Sequence, residues 1–174
     1  MQIKIHQEGW VYFIVCSILA IISLPFFSII GFFLLFLSAY IFYFFRDPNR
    51  VVPIEDVIVA PADGLITYIG ECEAPKECKT KKKFIKISIF LNIFNVHVNR
   101  TPVAGKIKNI IYVPGKFINA TLEKSSLDNE RNIIIVEKDN KDIFVVSQIA
   151  GLIARRIVCN LKINQQIIKG DRFG

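Results

Sequence analysis

Residues 10–45 read WVYFIVCSILAIISLPFFSIIGFFLLFLSAYIFYFF, a stretch without Asp, Glu, Lys or Arg. A helix needs about 20 apolar residues to cross the hydrocarbon core of a bilayer. The stretch is therefore too long for one upright helix and slightly short for two long ones. Pro25 lies near its middle and Gly31 follows, and both residues favour a turn. We predict a helical hairpin in residues 1–45 that is retained as a membrane anchor, followed by a separate domain in residues 46–174.

The charges that flank this anchor predict its orientation. Lys4 precedes the uncharged stretch, and Arg46 and Arg50 follow it. Positive residues favour the cytoplasmic side of a membrane, so a segment that enters and returns satisfies both ends. We expect the anchor in the cell membrane, with both of its ends and the following domain on the cytoplasmic side. A pair of helices buried in a soluble core is the alternative, although no soluble core of this size requires so long an uncharged run.

Residues 46–174 have a different pattern, with short runs of Ile and Val between Pro, Gly and Asn. Runs of about 4 to 9 such residues are typical of strands buried on at least one face. The pattern predicts strands at residues 57–60, 64–70, 84–91, 96–99, 105–113, 132–137, 142–150 and 153–160. Residues 119–127 are a candidate for a short helix. The fold class that we expect is mainly β behind an N-terminal helical hairpin.

The formal net charge of +7 lies mainly outside the anchor. Anionic lipid attracts a basic surface, and the densest basic cluster is Lys79, Lys81, Lys82 and Lys83. A solvated loop is the alternative for this cluster. Nucleic acid is not expected as a partner, because the chain has no nucleic-acid-binding motif and no aromatic residues spaced along the lysines. The four cysteines lack the CxxC spacing of a zinc site, so we expect no metal and a reducing compartment.

Of the two histidines in the chain, His97 is the stronger candidate for catalysis. It lies in the alternating segment NVHVNR (95–100), which places it on one strand face with Asn95 and Asn99. Asp63 lies in the turn PADG (61–64) between two predicted strands. An aspartate and a histidine that it orients can supply the orienting group and the base of a nucleophilic triad, but no serine of this chain has the context of a nucleophile elbow. A hydrogen-bonded strand histidine and an Asx-turn aspartate are the structural alternatives.

Seven short motifs follow one another along the chain. They are FRDPNR (45–50), PADG (61–64), FNVHVNR (94–100), PGKF (114–117), NERN (129–132), QIAGLIARR (148–156) and KGDRFG (169–174). Each motif alone is weak, whereas the ordered set is specific. In this order and spacing they resemble the short bacterial and archaeal type of phosphatidylserine decarboxylase.

The resemblance implies a proenzyme that cuts itself before a serine in a Gly-Ser sequence beyond Gly174. That serine would become a pyruvoyl group at the head of a small second chain, the expected partner of this large chain. Asp63 would orient His97, and His97 would deprotonate the serine. The pyruvoyl carbonyl would then act as the electron sink while membrane phosphatidylserine loses carbon dioxide to give phosphatidylethanolamine. We expect Asn95 and Asn99 to bind the substrate.

The fold implied by the resemblance is a compact antiparallel β-sandwich or barrel completed by strands of the small chain, with an unpaired edge where that chain is missing. Longer relatives have a further histidine at the position of Phe94, so His97 or an ordered water would protonate the carbanion here. A catalytically silent lipid-binding or scaffold protein is the alternative function. A decarboxylase of a soluble amino acid is a third, which the anchor argues against. The chain could also form a homo-oligomer, and the sequence does not decide this.

Overall fold

The computed structural model describes residues 4–78, 82–118 and 128–174. It divides into two compact units, which we call the helical unit (Met1–Val51 and Leu91–Val98) and the sheet unit (Val52–Phe90 and Asn99–Gly174). Two predictions fall outside the described residues. They are the short helix at 119–127 and the part of the lysine cluster formed by Lys79 and Lys81.

The helical unit contains the two predicted helices, α1 (Gln7–Ser23) and α2 (Ser28–Phe44). The bend between them covers residues 24–27 and includes Pro25, as predicted. Strands β1 (Lys4–Ile5) and β2 (Arg46–Asp47) pair antiparallel and bring the two ends of the hairpin together. His6 caps α1, because its Nδ1 accepts a hydrogen bond from the Glu8 backbone N–H at 3.4 Å.

Small residues lie at close contacts within the hairpin formed by α1 and α2. A Cβ on Gly31 would lie 2.7 Å from the Leu24 Cγ, and a Cβ on Gly9 would lie 2.5 Å from the Phe45 Cβ. The Ser17 and Ser38 hydroxyls hydrogen-bond at 2.6 Å. Close approach over small residues with polar cross-links is typical of helix pairs in lipid.

α1 and α2 have 17 residues each. Within the described ranges, no helix has the combination of length and hydropathy that crossing a membrane requires.

The sheet unit contains two antiparallel sheets. The first pairs β3 (Leu65–Glu73) with β4 (Lys83–Phe90). The second has four strands in the order β7-β6-β5-β8, with β5 at Gly105–Val113, β6 at Arg131–Glu137, β7 at Ile143–Ile149 and β8 at Gln166–Ile167. The register shifts between Ile66 and Tyr68 in β3, and again between Ile107 and Asn109 in β5. Such bulges bend a sheet.

These sheets confirm the mainly β, antiparallel fold class and five of the predicted strands. A closed sandwich or barrel with strands of a second chain stays a prediction. Three predicted strands were wrong, because residues 57–60, 96–99 and 153–160 make isolated backbone hydrogen bonds instead of a ladder. For example, the Val59 N–H bonds to the Pro102 carbonyl at 3.0 Å and the Asn160 N–H to the Phe173 carbonyl at 2.8 Å. The short strand β8 was missed.

The hydrophobic core of the sheet unit lies against β5 and β6. Its buried members are Val103, Ile107, Ile134, Val136, Ile167 and Phe173. Phe173 belongs to the KGDRFG motif, so this motif is fixed to the core by its aromatic ring. The core therefore determines where the last residues of the chain run.

Candidate active site

His97 lies in the segment Leu91–Val98 of the helical unit, directly after a tight turn. The Asn92 side-chain oxygen accepts the Phe94 N–H at 2.8 Å, and the Asn95 side-chain oxygen accepts the Asn92 N–H at 2.9 Å. The Asn95 N–H bonds to the Asn92 carbonyl at 3.0 Å. Asparagine is suited to such turns because its side chain reaches nearby backbone groups. These bonds fix the backbone just before His97.

The hydrogen bonds of the His97 ring indicate which nitrogen can act as a base. Nδ1 lies 3.1 Å from the Asn95 backbone oxygen. A carbonyl oxygen only accepts, so Nδ1 carries the proton of the neutral ring and Nε2 keeps its lone pair. The Phe44 ring stacks on the imidazole, with 4.4 Å between ring centroids and 28° between planes.

The surroundings of His97 favour its neutral form. Burial lowers the pKa of His97 most strongly, and the positive charge of Arg46 lowers it further. The hydrogen bond to the Asn95 carbonyl opposes both effects. Because the net shift of the pKa is downward, the imidazole stays neutral to lower pH than an exposed histidine. A general base must be neutral before it accepts a proton.

The end of α2 holds the backbone of the same segment. The Tyr40 hydroxyl donates to the Ile93 carbonyl at 3.0 Å. The Phe94 carbonyl accepts from the Tyr43 hydroxyl at 3.3 Å and from Arg46 Nη2 at 2.7 Å. The Arg46 guanidinium also lies 3.8 Å from the centroid of the Tyr43 ring. Sequence reasoning missed these contacts, although Arg46 lies in one of the quoted motifs.

Asp63 lies in the sheet unit, in the turn that precedes β3. Residues 61–64 form a bend that leads into β3, as expected of the predicted turn, but the strand predicted before it is absent. The Pro61 carbonyl accepts the Arg100 N–H at 2.9 Å. A Cβ on Gly64 would lie 2.4 Å from the Phe90 oxygen, so the position after Asp63 requires glycine. The role of Asp63 as the group that orients His97 stays a prediction.

Asn99, also in the sheet unit, contacts the last residues of the chain. Its N–H donates to the Gly174 carbonyl at 2.6 Å, and its carbonyl accepts the Phe173 N–H at 3.0 Å. Its side-chain oxygen accepts from Gln148 Nε2 at 2.9 Å. Gln148 in turn accepts from Asn132 Nδ2 at 3.0 Å, in a buried pair. Sequence reasoning missed that Gln148 bonds to both Asn99 and Asn132, although Gln148 and Asn132 lie in quoted motifs.

Within the helical unit, the structure brings the predicted site residues Asn95 and His97 together. Asn95 holds the His97 ring through its backbone carbonyl, within the helical unit. Asp63 and Asn99 belong to the sheet unit. The side-chain oxygens of Asn95 and Asn99 are engaged by Asn92 and Gln148. Substrate binding by Asn95 and Asn99 stays a prediction.

Comparison with known proteins assigns a family to this arrangement. The family model described as phosphatidylserine decarboxylase matches residues 37–174. A phosphatidylserine decarboxylase proenzyme of Pelagibacter ubique (strain HTCC1062) is 46% identical over 173 residues, which cover 98% of this chain and 80% of the relative. The proenzyme of the same name from Ehrlichia chaffeensis (strain ATCC CRL-10679 / Arkansas) is 49% identical over 174 residues, with 98% and 76% covered. That from Rickettsia akari (strain Hartford) is 44% identical over 172 residues, with 98% and 74% covered.

Proposed function

The chain belongs to the phosphatidylserine decarboxylase family, and on this premise we propose that it is the large chain of a self-cleaving carboxy-lyase that converts phosphatidylserine to phosphatidylethanolamine. The observation that carries this function is the family match over residues 37–174, which includes both the Asp63 turn and the His97 segment. The two relatives from Pelagibacter and Ehrlichia are named as proenzymes. A silent scaffold protein with the same fold is therefore not favoured.

For self-cleavage we assign the base to His97. Its neutral ring holds a proton on Nδ1 against the Asn95 carbonyl, which leaves Nε2 to accept the proton of a serine hydroxyl. The serine oxygen then attacks the carbonyl carbon of the residue before it, and the peptide C–N bond breaks to give an ester and a free amino group on the serine. Elimination from the resulting ester, followed by hydrolysis with release of ammonia, leaves a pyruvoyl group on a small partner chain. Asp63 is assigned as the group that stabilises the charged imidazole.

Two features of the chain fit a pyruvoyl group formed in this way. In the sheet unit, a Cβ on Gly174 would collide with the Val158 oxygen and with Gln148 Nε2, so Gly174 is held closely. In the helical unit, His97 is a partly buried ring that can carry a proton. When bound, the group supplies a carbonyl that draws electrons from the substrate as carbon dioxide leaves.

We assign the proton that replaces carbon dioxide on the substrate to His97. Phe94 occupies the position of the further histidine in longer relatives, and its ring cannot carry a proton. Phe94 contributes only its backbone carbonyl, which accepts hydrogen bonds from Tyr43 and Arg46. His97 Nε2 is then the proton carrier in this segment.

We further propose that α1 and α2 anchor the enzyme on the cytoplasmic face of the cell membrane. No Asp, Glu, Lys or Arg lies between Glu8 and Arg46. Phe26 is 76% exposed and Ile29 is 87% exposed, as suits side chains that contact lipid. At about 1.5 Å per residue each helix is about 25 Å long, enough to enter the apolar layer beside a lipid substrate.

Cysteine labelling tests this topology. In a cysteine-free background, Lys4→Cys and Arg50→Cys should resist a thiol reagent that is added to intact cells. Both should react once the membrane is opened. Labelling of either position in intact cells would contradict the proposed cytoplasmic orientation.

Intact-mass analysis of the full-length gene product tests the enzymatic function. We expect two fragments, of which the smaller begins with a pyruvoyl group. His97→Ala should give a folded, membrane-bound and uncut precursor, because the serine loses its proton acceptor. Asp63→Asn should slow cutting by up to about four orders of magnitude, as in hydrolase triads. A wild-type product that stays uncut and releases no carbon dioxide from phosphatidylserine would support the scaffold instead.

A further inference from the structure

Four side chains at the end of the anchor hairpin contact the segment that carries His97, and we call them the α2 clamp: Tyr40, Tyr43, Phe44 and Arg46. Three of them donate hydrogen bonds to two consecutive carbonyls, those of Ile93 and Phe94. The fourth, Phe44, stacks on the His97 ring itself. The last turn of a membrane-directed helix thus touches both the backbone and the ring of the proposed base.

The contacts of the α2 clamp restrict different motions of His97. The bond from Nδ1 to the Asn95 carbonyl fixes one edge of the ring, but it leaves the ring plane free to tilt. Stacking on Phe44 removes that freedom, because the two planes differ by only 28° at a separation of 4.4 Å. The two bonds on the Phe94 carbonyl fix the peptide that leads into Asn95.

We propose that the α2 clamp positions His97 as the base of self-cleavage, so that the anchor hairpin is part of the catalytic machinery and not only a tether. Phe44 and Arg46 are the central positioning residues. The proposal rests on the proposed role of His97. It adds that His97 depends on the α2 clamp, which includes Arg46 of β2, for its tautomer and ring orientation.

Simple packing would explain the same contacts without any effect on catalysis. The two explanations differ in what a substitution changes. If the contacts serve only packing, a substitution lowers the stability of the protein but leaves the rate of cutting and the titration of His97 unchanged. A positioning role predicts a slower step and a changed titration of His97 in a protein that is still folded.

The first test measures the rate of self-cleavage. The full-length proenzyme is synthesised without cells in the presence of phospholipid vesicles, and cutting is followed on gels. Phe44→Leu should slow cutting about tenfold to a hundredfold, because a small misplacement of a reacting group has an effect of that size. Phe44→Tyr keeps a stacking ring and should restore the rate. Phe36→Leu, the same change at a 73% exposed position of α2, is the matched control and should cut at the wild-type rate.

The second test measures the pH at which cutting reaches half of its maximal rate. Arg46→Met removes a positive charge that lowers the pKa of His97, so this pKa rises and the midpoint moves to higher pH. Arg46→Lys keeps the charge, so its midpoint should stay near that of the wild type while its rate falls. Nitrogen chemical shifts of the His97 ring in micelles supply a readout that is independent of cutting. They should show Nδ1–H in the wild type and a mixture of tautomers in Phe44→Leu.

The outcomes separate this proposal from the function on which it rests. Normal cutting by His97→Ala would remove the proposed base and the positioning role with it. If His97→Ala stays uncut while Phe44→Leu and Arg46→Met cut at the wild-type rate and midpoint, the base is retained and the α2 clamp is overturned. If Phe44→Leu lacks the helical circular dichroism of the wild type, the Arg46 variants decide whether the α2 clamp positions His97. A higher midpoint for Arg46→Met and a lower rate for Arg46→Lys support the proposal, and wild-type values for both overturn it.

Discussion

The two units of the chain differ in how far their large apolar side chains are buried. In the sheet unit, Ile107 and Ile134 are almost completely buried. In the helical unit the buried residues are mostly small, such as Gly31 and Ala20, while Ile29 is 87% exposed. Burial of apolar area stabilises a fold in water, whereas lipid provides no such gain between helices. The sheet unit thus buries its large apolar side chains in a core, whereas the helical unit buries mostly small residues and leaves many large apolar side chains exposed.

The largest expected effect tests this difference with one substitution made in both units. Ile134→Ala, in β6, should lower the free energy of unfolding by about 2 to 5 kcal/mol, because it leaves a cavity in the core. Ile29→Ala, in α2, should change it by about 0.5 kcal/mol or less, as expected of an exposed position. Denaturant unfolding of the full-length protein in detergent measures both. Equal losses would show that the helical unit also depends on a tightly packed core.

The sequence predicts most of the architecture where local pattern decides it. The uncharged stretch gives both helices and the bend at Pro25, and the runs of Ile and Val give β5, β6 and β7 with boundaries that differ by at most one residue. Residues 96–99 alternate like a strand, but the partner of Asn99 is the distant Phe173–Gly174 segment and forms no continuous ladder with it. Alternation shows that a segment is extended, and it does not show what the segment pairs with.

In the candidate site, too, the sequence predicts local features but not contacts between distant residues. His97 and the Asp63 turn are recognisable because short motifs mark them. The contact of Arg46 with Phe94 spans 48 residues, and that of Gln148 with Asn99 spans 49. No periodicity connects residues so far apart. The motifs therefore identify the proposed base, and only the fold shows which side chains hold it.

A second prediction compares polar positions inside the sheet unit. Gln148→Leu should destabilise the protein by about 1 to 3 kcal/mol, because Asn132 and Asn99 lose a partner in a largely buried network. Gln166→Leu, at an exposed position of β8, is the control and should be nearly neutral. Thermal unfolding followed by circular dichroism measures both changes. If Gln148→Leu unfolds at the wild-type temperature, the network does not stabilise the sheet unit.

The smallest expected effects concern ion pairs, and they show whether charge contributes to the stability of the sheet unit. Lys83 and Glu71 lie 3.4 Å apart, but their side chains are 79% and 75% exposed. Arg131 and Glu77 lie 3.3 Å apart and are 18% and 22% exposed.

Water and salt screen the pair of Lys83 and Glu71, so Lys83→Met should cause no measurable loss of stability. Arg131→Met should cost about 1 kcal/mol, because Glu77 then keeps a largely buried charge without this partner. Unfolding at low and high salt measures both variants. A loss for Lys83→Met that disappears at high salt would mean that surface charge, and not the apolar core alone, distinguishes the sheet unit from the helical unit.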